Sequence, residues 1–415
     1  MQRISTNMPN DDMQYYARQR EARLLNTQNQ IASQNRIQEL RDDPAAAAHA
    51  TRHQSYLYRL KRYSENIEMA QLRHRESETY MQEAVGILQR ARELAIQGAH
   101  GTYTQQDQQA MAGEINQLLN QLVEVANAKG GDGAMLFAGD RTKTTPFRVI
   151  EGRVEGFGEP VVSQVQYLGT INENRTEIAD GSYIPLNFAG NEVFWAENQQ
   201  VFSSVDATSY VVQQDTAIHV DGEEIRLRAG DNISAIIARI NESGAPARAR
   251  LDPVQNSLVI ESTTPHQLWL DDGADGEVLA DLGILNGRGN APPQNLASSA
   301  RVFGGSMFDT LITLRDRLAT GDTIDVGGRA LGGIDSALDN VLGKLGKLGS
   351  YDERLQLAFE RTESTIPEIT ERYSNEVDVD MTERITELRK LEYTHRAALG
   401  AAARIMQPTL LDFLR

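Results

Sequence analysis

The feature that most constrains this chain of 415 residues is a seven-residue repeat of apolar side chains towards its C-terminal end. Apolar residues at this spacing form a stripe along one face of an α-helix, and a long helix needs a partner to bury such a stripe. Asp352 and Thr362 are the polar exceptions in the repeat. Its first position holds Leu331, Leu338, Leu345, Phe359, Ile366 and Tyr373, and its second holds Ile334, Val341, Leu348, Leu355 and Ile369.

The N-terminal third of the chain offers a partner with the same period. The residues that lie seven apart there are Leu60, Ile67, His74, Met81, Leu88 and Ala95. An ordinary helical bundle has the same periodicity, and the two ends could pair in parallel or antiparallel fashion. We predict a helical rod, and its expected packing residues are Leu60, Ile67, Met81, Leu88, Leu338, Val341, Leu345, Leu348, Leu355, Phe359 and Ile366.

Local signals predict where the helices begin and end. Within residues 13–97 the run Arg41-Asp42-Asp43-Pro44 separates two helices, because Asp43 can cap the second helix and Pro44 suits its first turn. A third helix is predicted at 105–127. Towards the C-terminal end, helix is predicted from residue 299 onwards, with an interruption at the glycine-rich segment 321–333.

The region between residues 138 and 295 has a different pattern, in which Gly, Pro, Asn and Asp separate short runs of Val, Ile, Tyr and Phe. Such runs predict strands, and they occur at 161–168, 210–213, 217–220 and 258–261. Segment 216–285 is predicted to be a ββαββ module, with one hairpin turning at Asp221-Gly222, a helix at 233–241 and a second hairpin at 247–262. The expected fold class is α+β, with helical rod segments at 42–140 and 299–380, a β-rich outer domain at 141–298 and terminal helices at 1–41 and 381–415.

Charge and cysteine usage exclude several classes of function. The formal net charge of -17 opposes binding to nucleic acid or to an anionic membrane surface, because both begin with basic side chains displacing counterions. The chain has no cysteine, which excludes disulfides and thiolate chemistry. The first twelve residues lack the apolar core of a secretory signal peptide, and no stretch is long and apolar enough to span a bilayer. Taken alone, these properties predict a cytoplasmic protein.

The candidate chemical sites all lack an essential part. His49 and His53 stand at helical spacing. A zinc site of this type requires a Glu directly after the first His and a third ligand, but no Glu follows His49 and no acidic residue suited to be a third ligand is close by. The acidic run 271–277 has calcium-loop composition, but counted from Asp271 the third position is Gly273 and the twelfth is Leu282, where a calcium loop needs oxygen ligands. Gly343-Lys344 lacks the flanking residues of a phosphate-binding loop, and no Gly-x-Ser-x-Gly motif is present. We therefore expect no cofactor, no metal and no enzymatic activity.

Several motifs resemble the flagellin superfamily of bacterial flagellar proteins. The opening Arg3-Ile4-Ser5-Thr6-Asn7-Met8 is similar to the start of these proteins. The run Leu88-Gln89-Arg90-Ala91-Arg92-Glu93-Leu94-Ala95-Ile96-Gln97, followed by Gly101-Thr102 and Glu114-Ile115, is similar to their second helix and the turn after it. The resemblance is strong over residues 1–150 and 300–415 and loose over the middle region.

Other motifs are closer to the hook-filament junction proteins of this superfamily than to filament flagellins. Asp42-Asp43-Pro44 stands where flagellins typically have Asp-Asp-Ala. Leu136-Phe137-Ala138-Gly139, Val377-Asp378-Val379-Asp380 and Leu410-Leu411-Asp412-Phe413-Leu414 also resemble the junction proteins. The resemblance implies that 1–41 and 381–415 are axial helices that are disordered in the monomer and become ordered on assembly. The residues expected to contact neighbouring subunits or a chaperone are Leu399, Ile405, Leu410, Leu411, Phe413 and Leu414.

The resemblance also implies a function. The chain would be exported by the flagellar type III apparatus without a cleaved signal peptide, escorted by a chaperone (FlgN-like), and would assemble into a short ring. Its partners would be the first hook-filament junction protein (FlgK) and flagellin, in an extracellular or periplasmic flagellum. Two alternatives stay open: a filament flagellin of the same superfamily, and a surface protein that binds a ligand through its β-rich region.

Overall fold

The structure, a computed structural model, describes residues 8–39, 41–274, 276–287, 292 and 294–405. Its N-terminal part contains helices α1 (Met8–Ser33), α2 (Pro44–Ala99) and α3 (Gln105–Ala126). Asp43 caps α2 as predicted: the backbone N–H of Ala46 donates to Asp43 Oδ1 at 3.1 Å, and this bond holds the pKa of Asp43 below its ordinary value. The predicted break and the third helix are both confirmed.

The middle region is rich in short strands and short helices. Its strands are β1 (Phe147–Gly152), β2 (Val161–Tyr167), β3 (Arg175–Ala179), β4 (Ser182–Pro185), β5 (Gln200–Phe202), β6 (Thr216–Val220), β7 (Glu223–Leu227), β8 (Ala247–Leu251), β9 (Leu258–Ser262), β10 (Leu270–Asp272) and β11 (Arg301–Phe303). Its helices are α4 (Gly190–Val193), α5 (Ile233–Glu242) and α6 (Val278–Asp281).

All strand pairs in these sheets are antiparallel. β1 pairs with β2 and β3 with β4 as separate hairpins, while larger sheets have the orders β10-β6-β7 and β11-β5-β9-β8. The hairpin at Asp221-Gly222 is confirmed, and its two turn residues have φ values of 50° and 85°, which suits a tight hairpin turn. The second hairpin and the helix between the two are also confirmed, although the hairpins belong to different sheets.

One strand prediction is wrong. Residues 210–213 form no strand, and Val211 makes only an isolated bridge with Asn232. The backbone of Val212 explains this, because its N–H donates to the Asp231 carbonyl at 2.9 Å and its carbonyl accepts from Gly230 at 2.8 Å. Both groups are therefore used by the turn before α5.

The C-terminal helices are α7 (Met307–Thr320), α8 (Thr323–Asp325), α9 (Leu331–Val377) and α10 (Met381–Ile405), with a π-helical turn at Val326–Ala330 before α9. The prediction of helix from residue 299 is wrong, because 301–303 forms β11 and α7 begins only after Ser306. The predicted interruption at 321–333 is also shorter than expected. Gly321, with φ of 76°, ends α7, and helical turns resume at Thr323.

The described residues divide into two compact units. The described residues up to Glu65 and from Phe359 onwards form the first, and those within Asn66–Ala358 form the second. In the second unit, buried residues of α2, α3, α7 and α9 surround a group of aromatic rings, while a separate core lies under β6 to β9 and α5. The predicted α+β class, with long terminal helices and a β-rich middle, is confirmed. The predicted boundaries after residues 41, 140, 298 and 380 stay predictions.

Candidate assembly surface

In the first unit, the link between α1 and α2 pairs with the link between α9 and α10. The Arg36 N–H donates to the Val377 carbonyl at 2.7 Å, and the Val379 N–H donates to the Gln34 carbonyl at 3.0 Å. The Arg36 guanidinium adds a bond of 2.9 Å to the Glu376 carbonyl and lies 3.3 Å from Asp43. These bonds hold the two terminal helices side by side at their inner ends.

The sequence contained only part of the signal for this contact. Gln34 adopts a left-handed conformation with φ of 58°, which is uncommon for a residue other than glycine. Pairing over a separation of more than 300 residues has no local signature, so Arg36 was not singled out from the sequence. The motif 377–380 was noted only as part of a family resemblance.

Next to this link, α2 and α9 bury a small apolar cluster. Leu60 and Tyr63 pack with Ile369, and Ile366 is half-buried beside them. The Ser64 hydroxyl donates to Glu363 at 3.1 Å. The structure thus brings together two of the residues expected to pack, Leu60 and Ile366, while Phe359 is half-buried.

Helix α1 contacts α10, and the pair leaves large apolar side chains exposed to solvent. In α1 only Thr27 and Gln30 are buried among the described side chains. The exposed apolar residues of the two helices are Tyr15, Tyr16, Leu25, Met381, Ile385, Tyr393 and Leu399. Exposed apolar side chains grouped on two neighbouring helices favour contact with other molecules, and we call this set the terminal-helix surface.

The residues expected to contact a partner fall only partly within the described chain. Leu399 belongs to the terminal-helix surface and is 51% exposed. Ile405 is the last residue of α10, and its side chain lies outside the described positions. Leu410, Leu411, Phe413 and Leu414 also lie outside the described residues. The contact role of this set stays a prediction.

In the second unit, most of the other residues that were expected to pack are buried or half-buried between the helices. The buried members are Ile67, Met81, Leu88, Val341, Leu348 and Leu355, and the half-buried members are Leu338 and Leu345. The polar interruptions of the two repeats also meet. His74 is fully buried, with Nδ1 3.0 Å from Asp352 Oδ1 and Nε2 2.7 Å from the Pro185 carbonyl oxygen. A polar pair at a fixed level of an apolar contact can set its register.

The motifs around His49 and Gly343 lie on helices α2 and α9. Among the described residues, no group of three His, Cys, Asp or Glu side chains could hold a metal ion. His49 lies 3.7 Å from Glu376, and Gly343 and Gly346 occupy exposed positions within α9. No described helix is both long and apolar enough to cross a membrane.

Comparisons with known proteins place both ends of the chain in one family. A model of the bacterial flagellin N-terminal helical region matches residues 4–142, and a model of the bacterial flagellin C-terminal helical region matches residues 331–414. Together the two matches cover just over half of the chain.

Individual relatives include junction proteins and flagellins. Flagellar hook-associated protein 3 of Escherichia coli is 28% identical over 136 residues, covering 33% of this chain and 43% of that protein. The corresponding Salmonella typhimurium protein is 25% identical over 41% of this chain and 53% of its own length. This chain therefore matches about half the length of these two relatives. Flagellin of Clostridium tyrobutyricum is 22% identical over 91% of this chain and 92% of that protein.

Among solved structures, hook-associated protein 3 of Legionella pneumophila is similar over 78% of this chain and 97% of that chain, with 17% identity and a TM-score of 0.47. Xanthomonas campestris FlgL is similar over 78% of this chain and 99% of that chain, with 15% identity and a TM-score of 0.46.

Proposed function

The chain belongs to the bacterial flagellin family, and from this premise we propose that it is a member of the hook-associated protein 3 type, a structural subunit that joins the hook to the filament of a bacterial flagellum. The observation that carries the proposal is that both matched ends meet in one unit. There the links at Arg36 and Val377 pair, and α1 and α10 expose the terminal-helix surface. A subunit that assembles through its ends needs such a surface.

We propose that assembly couples folding to association. Residues of the terminal-helix surface gain burial only when neighbouring subunits cover them, and this burial would offset the entropy lost on ordering the ends. In the flagellum the chain would form a short ring between the first hook-filament junction protein (FlgK) and flagellin. Before assembly, the chain would be exported by the flagellar type III apparatus, with a FlgN-like chaperone bound to the terminal segment 399–414. The compartment would be extracellular or periplasmic according to the host.

A filament flagellin is the second candidate, and one observation favours it. The flagellins of Clostridium tyrobutyricum and Vibrio anguillarum match 91% and 97% of this chain, whereas the hook-associated proteins match 33% and 41%. The two candidates differ in how far the pure protein polymerises. Long helical filaments grown from the purified chain alone would favour flagellin, while oligomers that stop growing would favour the junction protein.

The decisive experiment is deletion of the gene in its host, with electron microscopy of the flagella and an assay of flagellin in the medium. The junction role predicts hooks without filaments and flagellin lost to the medium, both reversed by a plasmid copy. Normal filaments in the deletion strain would contradict the proposal. Shortened or absent filaments without flagellin in the medium would point to the flagellin alternative.

A further inference from the structure

One face of the four-stranded sheet is basic and aromatic in an otherwise acidic protein. In the register of this sheet, Arg248 faces Glu261, which faces Gln200, which faces Phe303. The next row runs from Arg250 through Val259 and Phe202 to Arg301. Because residues two apart on a strand share a face, both rows lie on the same side of the sheet, opposite the core under β6 to β9.

The side chains on this face support one another. The rings of Phe202 and Phe303 meet edge to face, with centroids 5.4 Å apart. The guanidinium carbons of Arg301 and Arg250 lie 5.2 Å and 5.9 Å from the centroid of the Phe202 ring. Cation–π contacts hold both guanidinium groups against the Phe202 ring. Arg301 Nη2 also donates to Gln255 Oε1, and Arg250 Nε lies 3.9 Å from Glu261 Oε2. This face suits a partner that carries carboxylates.

The sheet also ends in an open edge beside this face. β11 is the last strand of the order β11-β5-β9-β8, and all three of its residues are exposed. Val302 and Phe303 expose 40% and 50% of their surface. Within the part of the chain that the structure describes, β5 is the only strand paired with β11. Its outer backbone groups can therefore bond to another extended strand.

A complementary edge lies on the other large sheet. β7 ends the order β10-β6-β7, and Glu223, Glu224 and Arg226 are exposed on it. The groove along this edge is also lined by Glu242 and Arg239 of α5, and Arg239 pairs with Asp231 at 2.8 Å. Arg226 is paired with Glu224 at 3.1 Å, which leaves this edge with an excess of carboxylates.

Within the two larger sheets, the β7 edge lies on the side away from β11. Helix α5 contacts both β7 and β8, and β8 is the far end of the four-stranded sheet from β11. One copy of the chain therefore cannot pair its own β7 with its own β11. Contact between different patches of identical subunits is heterologous, and repetition of such a contact closes a ring when the rotation allows it.

We propose that the β11 edge of one copy adds to the β7 edge of the next copy, with Arg301 facing the carboxylate of Glu223; Glu224 points to the opposite face of β7, where it pairs with Arg226. The inference rests on the proposed function, since it gives the ring a lateral contact in the β-rich region. A strand of three residues provides few backbone bonds, so the contact forms where subunits are already held together and is weak in dilute solution.

The test uses the absence of cysteine from this sequence, which makes introduced cysteines the only thiols of this protein. A chain with Phe303→Cys and Glu224→Cys is expressed in the deletion host, and its purified flagella are treated with a short bis-maleimide. We expect a ladder of cross-linked copies on a denaturing gel. The matched control combines Val254→Cys, at a position 85% exposed, with the same Glu224→Cys. Chains with one cysteine complete the set, and they should yield no product beyond a dimer.

The outcomes separate this inference from the proposed function. If the natural chain is absent from purified flagella, the proposed function fails and the inference fails with it. If the variant is present but gives no more ladder than the control, the inference alone is overturned. Should Phe303→Cys prevent folding, Val302→Cys replaces it with the same expectation. With either cysteine position, Arg301→Glu should weaken the ladder several-fold. Adding Glu223→Arg to Arg301→Glu should restore the ladder, because the two charges are then exchanged.

Discussion

Arg315 in α7 is the largest fully buried side chain of the described residues, and its partners explain how a charge is accommodated there. Its Nη1 donates to the Val162 carbonyl at 2.6 Å and to Asn116 Oδ1 at 3.1 Å. Its Nε donates to Asp316 Oδ1 at 2.8 Å. One guanidinium thus joins α7, α3 and β2. Nothing in the sequence distinguished this arginine from the others of the chain.

The substitution Arg315→Met should lower the free energy of unfolding by about 3 kcal/mol, because the Val162 carbonyl and the Asn116 amide lose a buried donor. Denaturant unfolding followed by circular dichroism measures the change. Arg317→Met is the matched control on the same helix, since Arg317 is 45% exposed and pairs with Asp325 only at the surface. The control should cost less than about 1 kcal/mol. Equal losses for the two variants would contradict the role of Arg315.

At the scale of single residues, the sequence showed which positions of the two repeats are polar, but it did not show that these polar residues contact each other. His74 and Asp352 were gaps in two separate apolar patterns, and the structure places them in contact. A pattern along one helix contains no information about the level at which another helix meets it. The pairing of polar gaps across two repeats is a signal that could have predicted the register of α2 and α9.

Among helices, the glycines of α2 show how packing overrides intrinsic preference. Gly86 is exposed, and a Cβ built there meets nothing within 4 Å. Gly98 is buried, and a Cβ built there clashes with Leu318 Cδ2 and contacts Val326 Cγ1 at 3.7 Å. The absent side chain of Gly98 therefore lets α7 and the turn before α9 approach α2.

Alanine at these two positions should have opposite effects. Gly86→Ala should raise the free energy of unfolding by about 0.5–1 kcal/mol, because alanine loses less backbone entropy in a helix. Gly98→Ala should lower it by about 1–2 kcal/mol, since Leu318 is almost fully buried and has little room to move. Thermal melts of both variants measure the difference. Stabilisation by Gly98→Ala would show that the contact with Leu318 relaxes freely.

Elements formed by local interactions were predicted from the sequence, whereas elements formed by pairing between distant segments were not. The start of α2 was predicted because Asp43 and Pro44 act on their own turn. The strand β11 was missed because it forms by pairing with β5, about a hundred residues away along the chain, and helix was predicted from residue 299 onwards. Residues 210–213 were assigned a strand because their composition is typical of one, but turn bonds use their backbone groups.

At the scale of the whole molecule, we expect residues of the terminal-helix surface to affect assembly and to have little effect on the stability of a single chain. Tyr393 and Leu399 are 76% and 51% exposed on α10, so neither contributes much to the core of a single chain. A side chain that is exposed in the monomer and apolar affects the monomer little when replaced, but it matters where a neighbour covers it. The sequence predicted Leu399 as a contact residue from family resemblance, and its exposure is compatible with that role.

The substitution Leu399→Asp should leave the thermal unfolding midpoint of the purified chain within measurement error, because the side chain is half in solvent. In the host, the same variant should fail to restore filaments to the deletion strain, since a carboxylate would be buried without a partner between subunits. Thr394→Asp makes the same charge change at an exposed position of α10 and should complement normally. Full complementation by Leu399→Asp, with export of the variant verified by immunoblot of the medium, would remove Leu399 from the assembly surface.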